Sequence, residues 1–270
     1  MEQNGKPLLI DVEAILASKG VKKAPKFLVK FLKRIIHQDE LNQFLSLHGE
    51  CRGAEFATKA LEFFDVKYNI HDIENLPKDG GKYIFASNHP LGGLDGLILI
   101  SLIGKEMGDV RFIVNDLLMF ITPLEPIFIP VSKFGRLKQD NAEKINHAFS
   151  SNAQILYFPA GLCSRLIDGQ IKDLEWKKTF VTKAIETQRD IIPIHFSGRN
   201  SMFFYRLSKW RKMLGIKFNI EMMFLVDEMV KQRGKTFDIY IRKTVPYSFL
   251  TKEKSHKEWT EYIRAISYSD

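Results

Sequence analysis

The 270-residue chain is poor in cysteine, with only Cys51 and Cys163. Two thiols so far apart in sequence build no disulfide framework, and no Cys/His group has zinc-ligand spacing, so neither a stapled secreted scaffold nor a metal centre is expected. A reducing compartment fits. No run reaches the roughly 18 uninterrupted apolar residues of a spanning helix. The best candidate, Leu97–Ile103, is short and reads as a buried helix. The opening MEQNGKPLLIDVEAILASKG carries acidic residues and lacks an unbroken apolar core, so no signal peptide is read there and a cytoplasmic location is expected. Internal repeats, low-complexity tracts and long linkers are also absent, which argues against a repeat array.

What is present is ordinary globular composition, 45% apolar and 27% charged, enough for one large domain with or without a small helical extension. Forty Lys and Arg against 32 Asp and Glu give +8. That surplus fits a polyanionic partner: nucleic acid, an anionic membrane surface, or phosphorylated substrates. Charge alone does not choose among them.

Residues 1–74 read as an N-terminal helical region. Phe27, Leu28, Phe31, Leu32, Ile35 and Ile36 recur at three- and four-residue intervals, while Lys22, Lys23, Lys26, Lys30, Lys33 and Arg34 crowd the same stretch. Over 75–270 the pattern becomes α/β. Strands are expected at Lys82–Ser87, Val110–Val114, Pro126–Val131, Gln154–Phe158, Ile191–Phe196, Asn219–Leu225 and Phe237–Arg242. Helices are expected at Gly96–Gly104, Gln139–Ser150, Lys177–Gln188 and Glu253–Ser267. Such alternation implies an α/β fold with a mixed, largely parallel central sheet flanked by helices, and loops at the strand ends available for a site.

Four segments share one design, an apolar strand delivering a polar or cationic loop. In the first, His89 and Asp95 flank Gly92 and Gly93 in SNHPLGGLDG. A histidine at a strand end, oriented by a carboxylate, is what general-base catalysis needs. The same spacing also serves a plain turn, with Asp95 capping the next helix and His89 an ordinary loop histidine. In the second, FIPVSKFGR, a strand ends in Lys133 and Arg136. In the third, FPAGLCSR, backbone amides and Arg165 suit a phosphate or carboxylate, or simply end a strand. The fourth is IIPIHFSGR, ending at Arg199.

NHPLGGLD at 88–95, FIPVSKFGR at 128–136, FPAGLCSR at 158–165 and IIPIHFSGR at 191–199 resemble, in order and spacing, the blocks of the glycerolipid (lysophospholipid) acyltransferase superfamily. The resemblance covers roughly residues 75 to 245. It implies transfer of an acyl group from a thioester, on CoA or acyl carrier protein, to the hydroxyl of a lyso-lipid, with no metal and no further cofactor. By that resemblance His89 is the general base and Asp95 its orienting carboxylate. Asn88, Gly92, Gly93, Lys133, Arg136, Pro159, Gly161, Ser164, Arg165 and Arg199 are the substrate-contacting candidates, and backbone donors near 158–165 and Gly92-Gly93 are candidates for an oxyanion hole.

Two departures stand out. Five residues rather than four separate His89 from Asp95. In the third block Ala160, Leu162 and Cys163 stand where the family has Glu, Thr and Arg, and the arginine is displaced to Arg165. The changed block suits an acceptor other than lysophosphatidate, such as an N-acylated amino acid bearing a free hydroxyl. Cys163 also raises a rival mechanism, a cysteine nucleophile with His89 as its base.

A lyso-lipid acceptor implies docking on an anionic membrane, peripherally on the cytoplasmic face. Lys26, Lys30 and Lys33, and the stretch holding Arg206, Lys209, Trp210, Arg211 and Lys212, supply cations among apolar residues. A rival from another class is a non-catalytic lipid- or acyl-chain-binding protein on the same fold. Nucleic-acid binding would rest on +8 alone, and no nucleic-acid partner is expected.

Overall fold

A computed structural model describes residues 9–18, 23–115, 121–131 and 137–269. In chain order the first elements are α1 (Val12–Ser18), α2 (Lys26–Ile35), α3 (Gln38–His48), α4 (Gly53–Phe63), β1 (Lys67–His71), β2 (Tyr83–Ser87), α5 (Gly93–Met107), β3 (Val110–Asn115) and β4 (Phe128–Val131). Then come α6 (Leu137–Ser150), β5 (Gln154–Tyr157), β6 (Arg165–Ile167), β7 (Gln170–Lys172), α7 (Thr179–Thr187) and β8 (Asp190–Phe196). The chain closes with α8 (Met202–Met213), α9 (Leu225–Val230), β9 (Thr236–Ile241) and α10 (His256–Ser267).

The central sheet has the order β1-β9-β8-β2-β5-β3-β4. From β8 to β4 every neighbouring pair is parallel, β9 runs antiparallel to β8, and β1 lies parallel to β9. β2 is buried throughout and sits between β5 and β8. Its alternation sends Tyr83 and Phe85 into one core and Ile84 and Ala86 into the other, as a strand covered on both faces requires. The first core is closed by α3, α4, α5 and α9, the second by α6, α7 and α10. The run GLILISLIG makes α5 apolar almost all round, which suits a helix buried in the interior. Gly104 lets it lie directly on α4, since a Cβ there would overlap that of Ala54.

Because β2, β5 and β8 are parallel neighbours, the segments that follow them emerge side by side at one rim of the sheet. The first, third and fourth sequence blocks are those segments. Residues 132–136, which end the second block after β4, lie outside the described residues.

Three expectations change. Asn219–Leu225 forms no strand: Ile220–Phe224 is a 3-10 turn that runs into α9. A short apolar run does not fix its own period, and here Glu221 is buried within the turn against Arg165 and Arg211. β1 lies within the region read as helical and pairs in register with β9, from Lys67↔Thr236 to His71↔Tyr240. The hairpin β6–β7, closed by Asp168 and Gly169 with positive φ of 50° and 78°, carries the Asp-Gly turn signal that the sequence reading passed over.

Candidate active site

At the end of β2 the buried Asn88 side chain locks that strand to β8. Its amide donates to Phe196 O at 2.9 Å, and its oxygen accepts from Phe196 N at 2.7 Å. Asn88 is therefore a backbone tie rather than a substrate contact, since both ends of its amide are spent within the sheet. The chain then turns through His89 to Gly92, whose φ of 80° is open to glycine and strained for other residues. That reversal absorbs the additional residue of the first block and starts α5 at Gly93.

Asp95 is the third residue of α5 and fully buried. Its oxygens lie 3.1 Å from His89 Nδ1 and also accept from Leu91 N at 3.0 Å and Gly96 N at 2.9 Å. A carboxylate that collects donors in this way places the ring proton on Nδ1. The Nε2 lone pair is then left outward, with no hydrogen bond to a described residue. The ring stacks on Phe158, with centroids 3.9 Å apart, and its side chain is 15% exposed. The dyad thus has one buried partner and one reachable nitrogen. The helix-cap reading of Asp95 does not hold, because the residue sits inside the first turn and reaches back to the loop.

A second carboxylate, missed by sequence reasoning, holds the histidine's main chain. Buried Asp173 accepts from His89 N at 3.3 Å, Ser164 Oγ at 2.6 Å and Trp176 Nε1 at 3.0 Å, and Tyr268 also bonds to it. Burial and the Asp173 charge push the Tyr268 phenol above its usual range. Ser164 N in turn donates to His89 O at 2.8 Å. Ser164 therefore supports the loop instead of meeting substrate directly. No motif marks Asp173, because its tie to the histidine spans 84 residues and Tyr268 reaches it from the end of the described chain.

The third block turns its arginine inward. Arg165 is 3% exposed, donates to Cys163 O at 2.6 Å and Ser164 O at 3.1 Å, and pairs with Glu221 Oε1 at 3.1 Å. Arg211 of α8 meets the same carboxylate, with Nε 2.9 Å from Oε2 in an ion-pair contact rather than an aligned hydrogen bond. Two expectations are corrected here: Arg165 is no free substrate ligand, and Arg211 no membrane contact, because a buried Glu221 holds both. Cys163 is fully buried, and that burial pushes its thiol pKa up despite the nearby Arg165. A cysteine nucleophile needs the opposite environment. The cation left at this turn is Lys177, missed by sequence reasoning, whose backbone N donates to Pro159 O at 3.1 Å. Its ammonium lies so near Gly161 that a Cβ there would stand 3.1 Å from Nζ. The Gly161 amide is itself committed to Phe158 O at 3.0 Å, whereas those of Gly92 and Gly93 make no hydrogen bond to a described residue.

Lys133 and Arg136 lie outside the described residues. Arg199, after β8, is exposed. Arg206, Lys209, Trp210 and Lys212 are exposed on α8, as are Lys26 and Lys30 on α2, while Lys33 pairs with Glu13 at 3.3 Å. Exposed Phe31 of α2 and Phe203 of α8 both pack on Phe224, at 6.2 and 5.1 Å between centroids. The two stretches read separately from the sequence therefore meet at Phe224. A cavity of about 960 Å3 lies among α1, α2 and α3, lined in part by Lys23, Lys30 and Arg34, and His89 does not line it. Among the described residues no helix is long and apolar enough to cross a membrane, and no His/Cys/Asp/Glu group is arranged for a metal.

Comparison with known proteins gives three results. The model of the family described as "Acyltransferase" matches residues 12–269. Two proteins named lyso-glycine lipid O-acyltransferase are similar over 264 residues, 96% of this chain. The one from Phocaeicola vulgatus is 50% identical with 94% of its length covered, the one from Bacteroides thetaiotaomicron 47% identical with 97% covered. The crystal structure of the 1-acyl-sn-glycerophosphate acyltransferase from Thermotoga maritima aligns with a TM-score of 0.49 and 16% identity, over 94% of this chain and 85% of that one.

Proposed function

The chain belongs to the acyltransferase family and is an acyltransferase; from that premise we propose that it acylates the hydroxyl of a lyso-glycine lipid. Being an enzyme sets aside the non-catalytic lipid-binding role. The acceptor class rests on the two relatives of that name, similar over nearly their whole lengths. The mechanism rests on one observation, the 3.1 Å pairing of His89 Nδ1 with buried Asp95.

With its proton held on Nδ1, His89 takes the acceptor's hydroxyl proton on Nε2 as the oxygen attacks the thioester carbonyl. Asp95 stabilises the imidazolium that forms. The tetrahedral intermediate collapses with cleavage of the C–S bond, the leaving thiolate receives the proton from Nε2, and an ester and a free thiol result. The unpaired amides of Gly92 and Gly93, at the positive end of α5, suit the developing oxyanion. Lys177 suits an anionic group of the donor, acyl-CoA or acyl carrier protein.

The enzyme meets its acceptor at a membrane through α2 and α8, which meet at Phe224 and on which Phe27, Phe31, Phe203, Trp210, Lys26, Lys30, Arg206, Lys209 and Lys212 are exposed. Each cation near an anionic leaflet contributes about 1 kcal/mol, so a handful suffices for reversible attachment on the cytoplasmic face. Purified protein, offered acyl-CoA and acyl carrier protein donors in turn, should acylate lyso-glycine lipid and leave lysophosphatidate largely unchanged. The reverse preference would sink the proposed acceptor. Sedimentation with anionic vesicles should weaken after charge reversal of Lys209 and Lys212, and undiminished sedimentation removes that contact from the proposal.

A further inference from the structure

Beside the fourth block lies a cavity of about 260 Å3, lined by Arg199, Asn200, Ser201, Glu228, Gln232 and Lys235 among others. Arg199 to Ser201 join β8 to α8, Glu228 belongs to α9, and Lys235 immediately precedes β9. Its charges are unequal in availability. Glu228 is fully buried, and its oxygens are taken by Ser201 N at 2.5 Å, Ser201 Oγ at 2.6 Å and Lys231 at 3.0 Å. Among the described residues the Lys235 ammonium bonds only to the neutral amide oxygen of Gln232, at 3.0 Å. Arg199 is exposed, and its guanidinium makes no hydrogen bond or ion pair with a described residue. The N-terminal end of the twelve-residue helix α8 adds its positive dipole to the same place. The cavity is therefore electropositive.

A second, independent observation concerns Asn200. The residue is 3% exposed, and neither Nδ2 nor Oδ1 finds a partner among the described residues. Its backbone is held in place, with Asn200 N donating to Tyr205 Oη at 3.0 Å. A buried amide with an unmet donor and an unmet acceptor is costly unless a ligand or an ordered water supplies both bonds. The complement of a carboxamide is another amide, with an N–H for Oδ1 and a carbonyl for Nδ2. The complement of the Arg199 fork is a carboxylate. An N-acylated amino acid contains both groups, a few bonds apart. A phosphate monoester has no N–H to offer Oδ1.

The cavity also lies within reach of the dyad. His89 follows β2, Arg199 follows its neighbour β8, and β9 flanks β8 on the far side, so the dyad and the cavity share one rim of the sheet. The two rims touch, since a Cβ on Gly198 would stand 3.5 Å from Leu91, two residues beyond His89.

The geometry points to this cavity as the acceptor's headgroup subsite, with Arg199 and Lys235 holding the amino-acid carboxylate and Asn200 pairing with the acceptor's amide. This assignment rests on the proposed acceptor class and adds the residues that select it. It is tested by isothermal titration with a short-chain N-acylglycine bearing a hydroxyl on its acyl chain, its methyl ester, and a phosphate monoester of matched length. The N-acylglycine should bind the wild-type protein, and Arg199→Gln should weaken it about tenfold or more, the loss expected for one charge-assisted contact. Arg199→Lys should recover part of that loss. The methyl ester should bind wild type more weakly still than the acid binds Arg199→Gln, because it gives up the contact with Lys235 as well. Asn200→Leu, checked for an intact melting transition, should weaken the ester and the acid alike, because it removes the amide contact that both share. Equal binding of acid and ester to wild type, unchanged affinity in Arg199→Gln, no binding of the acid, or tighter binding of the phosphate monoester would each overturn the assignment. Wild-type turnover of the same N-acylglycine separates the two ideas. Turnover with Arg199→Gln affinity unchanged defeats the subsite alone, whereas Arg199-dependent binding without acylation defeats the acceptor reading and leaves the subsite standing.

Discussion

The loops that follow β2 and β5 leave neighbouring parallel strands at the same rim, yet they deploy their polar residues in opposite directions. After β2, His89 keeps one nitrogen reachable while Asp95 is buried behind it. After β5, Arg165 and Cys163 both turn inward and Glu221 closes over the arginine. The difference shows what makes a polar residue at a strand end available for chemistry. A short-range partner on the same loop orients His89 without consuming it, whereas a long-range partner of opposite charge consumes Arg165 in a structural tie.

Several substitutions break or sharpen this contrast. The largest effect is expected for His89→Ala, with kcat down by about 10^4 while the melting temperature changes little, as for loss of a general base. Retention of full turnover would exclude His89 as the base. Asp95→Asn should follow at about 10^3, because the amide can no longer fix the tautomer or stabilise the imidazolium; a steady-state assay with the wild-type melting curve beside it separates that loss from unfolding. On the other loop the effect should fall on stability. Glu221→Leu strands two buried guanidinium groups and should cost about 3–5 kcal/mol in denaturant unfolding. Replacing all three partners, Arg165→Met and Arg211→Met with Glu221→Leu, should restore most of it. A Glu221→Leu protein as stable as wild type would mean that the tie carries no stability.

Cys163→Ser should show the smallest effect, activity within about threefold of wild type and no acyl group trapped on the wild-type thiol. Alkaline pH gives it a second reading. Burial holds the folded-state thiol pKa above its ordinary value, so the folded protein keeps that proton more tightly than the unfolded chain. The associated stability is complete below the free thiol's titration and is lost as pH rises through and beyond it. Melting curves of Cys163→Ser should therefore decline less steeply above about pH 9 than those of wild type.

Much of the architecture was legible in the residues. The buried alternation of YIFAS, the apolar run of α5 and the succession of strands and helices gave the class of the fold and the ends of most strands to within a residue or two. The dyad was legible as a spacing, because His89, Gly92 and Asp95 lie on one loop and nearby residues cannot drift far apart. The strand at Lys67–His71 was hidden because its alternation is weak and its partner, β9, lies at the other end of the chain. Asp173 and Asn200 were hidden for a related reason. Neither belongs to a motif, and each matters only through the segments folded around it.

Sequence by itself settled which chemical groups stand at the ends of which strands, since an apolar strand followed by a glycine turn and a titratable side chain is a local pattern. Only the tertiary structure decided which of those groups face outward. Whether a guanidinium stays free depends on whether a carboxylate reaches it, and the carboxylate that takes Arg165 is 56 residues away in the chain. Local spacing carries no record of that meeting, while the cost of burying an unpaired charge makes it decisive once the chain has folded.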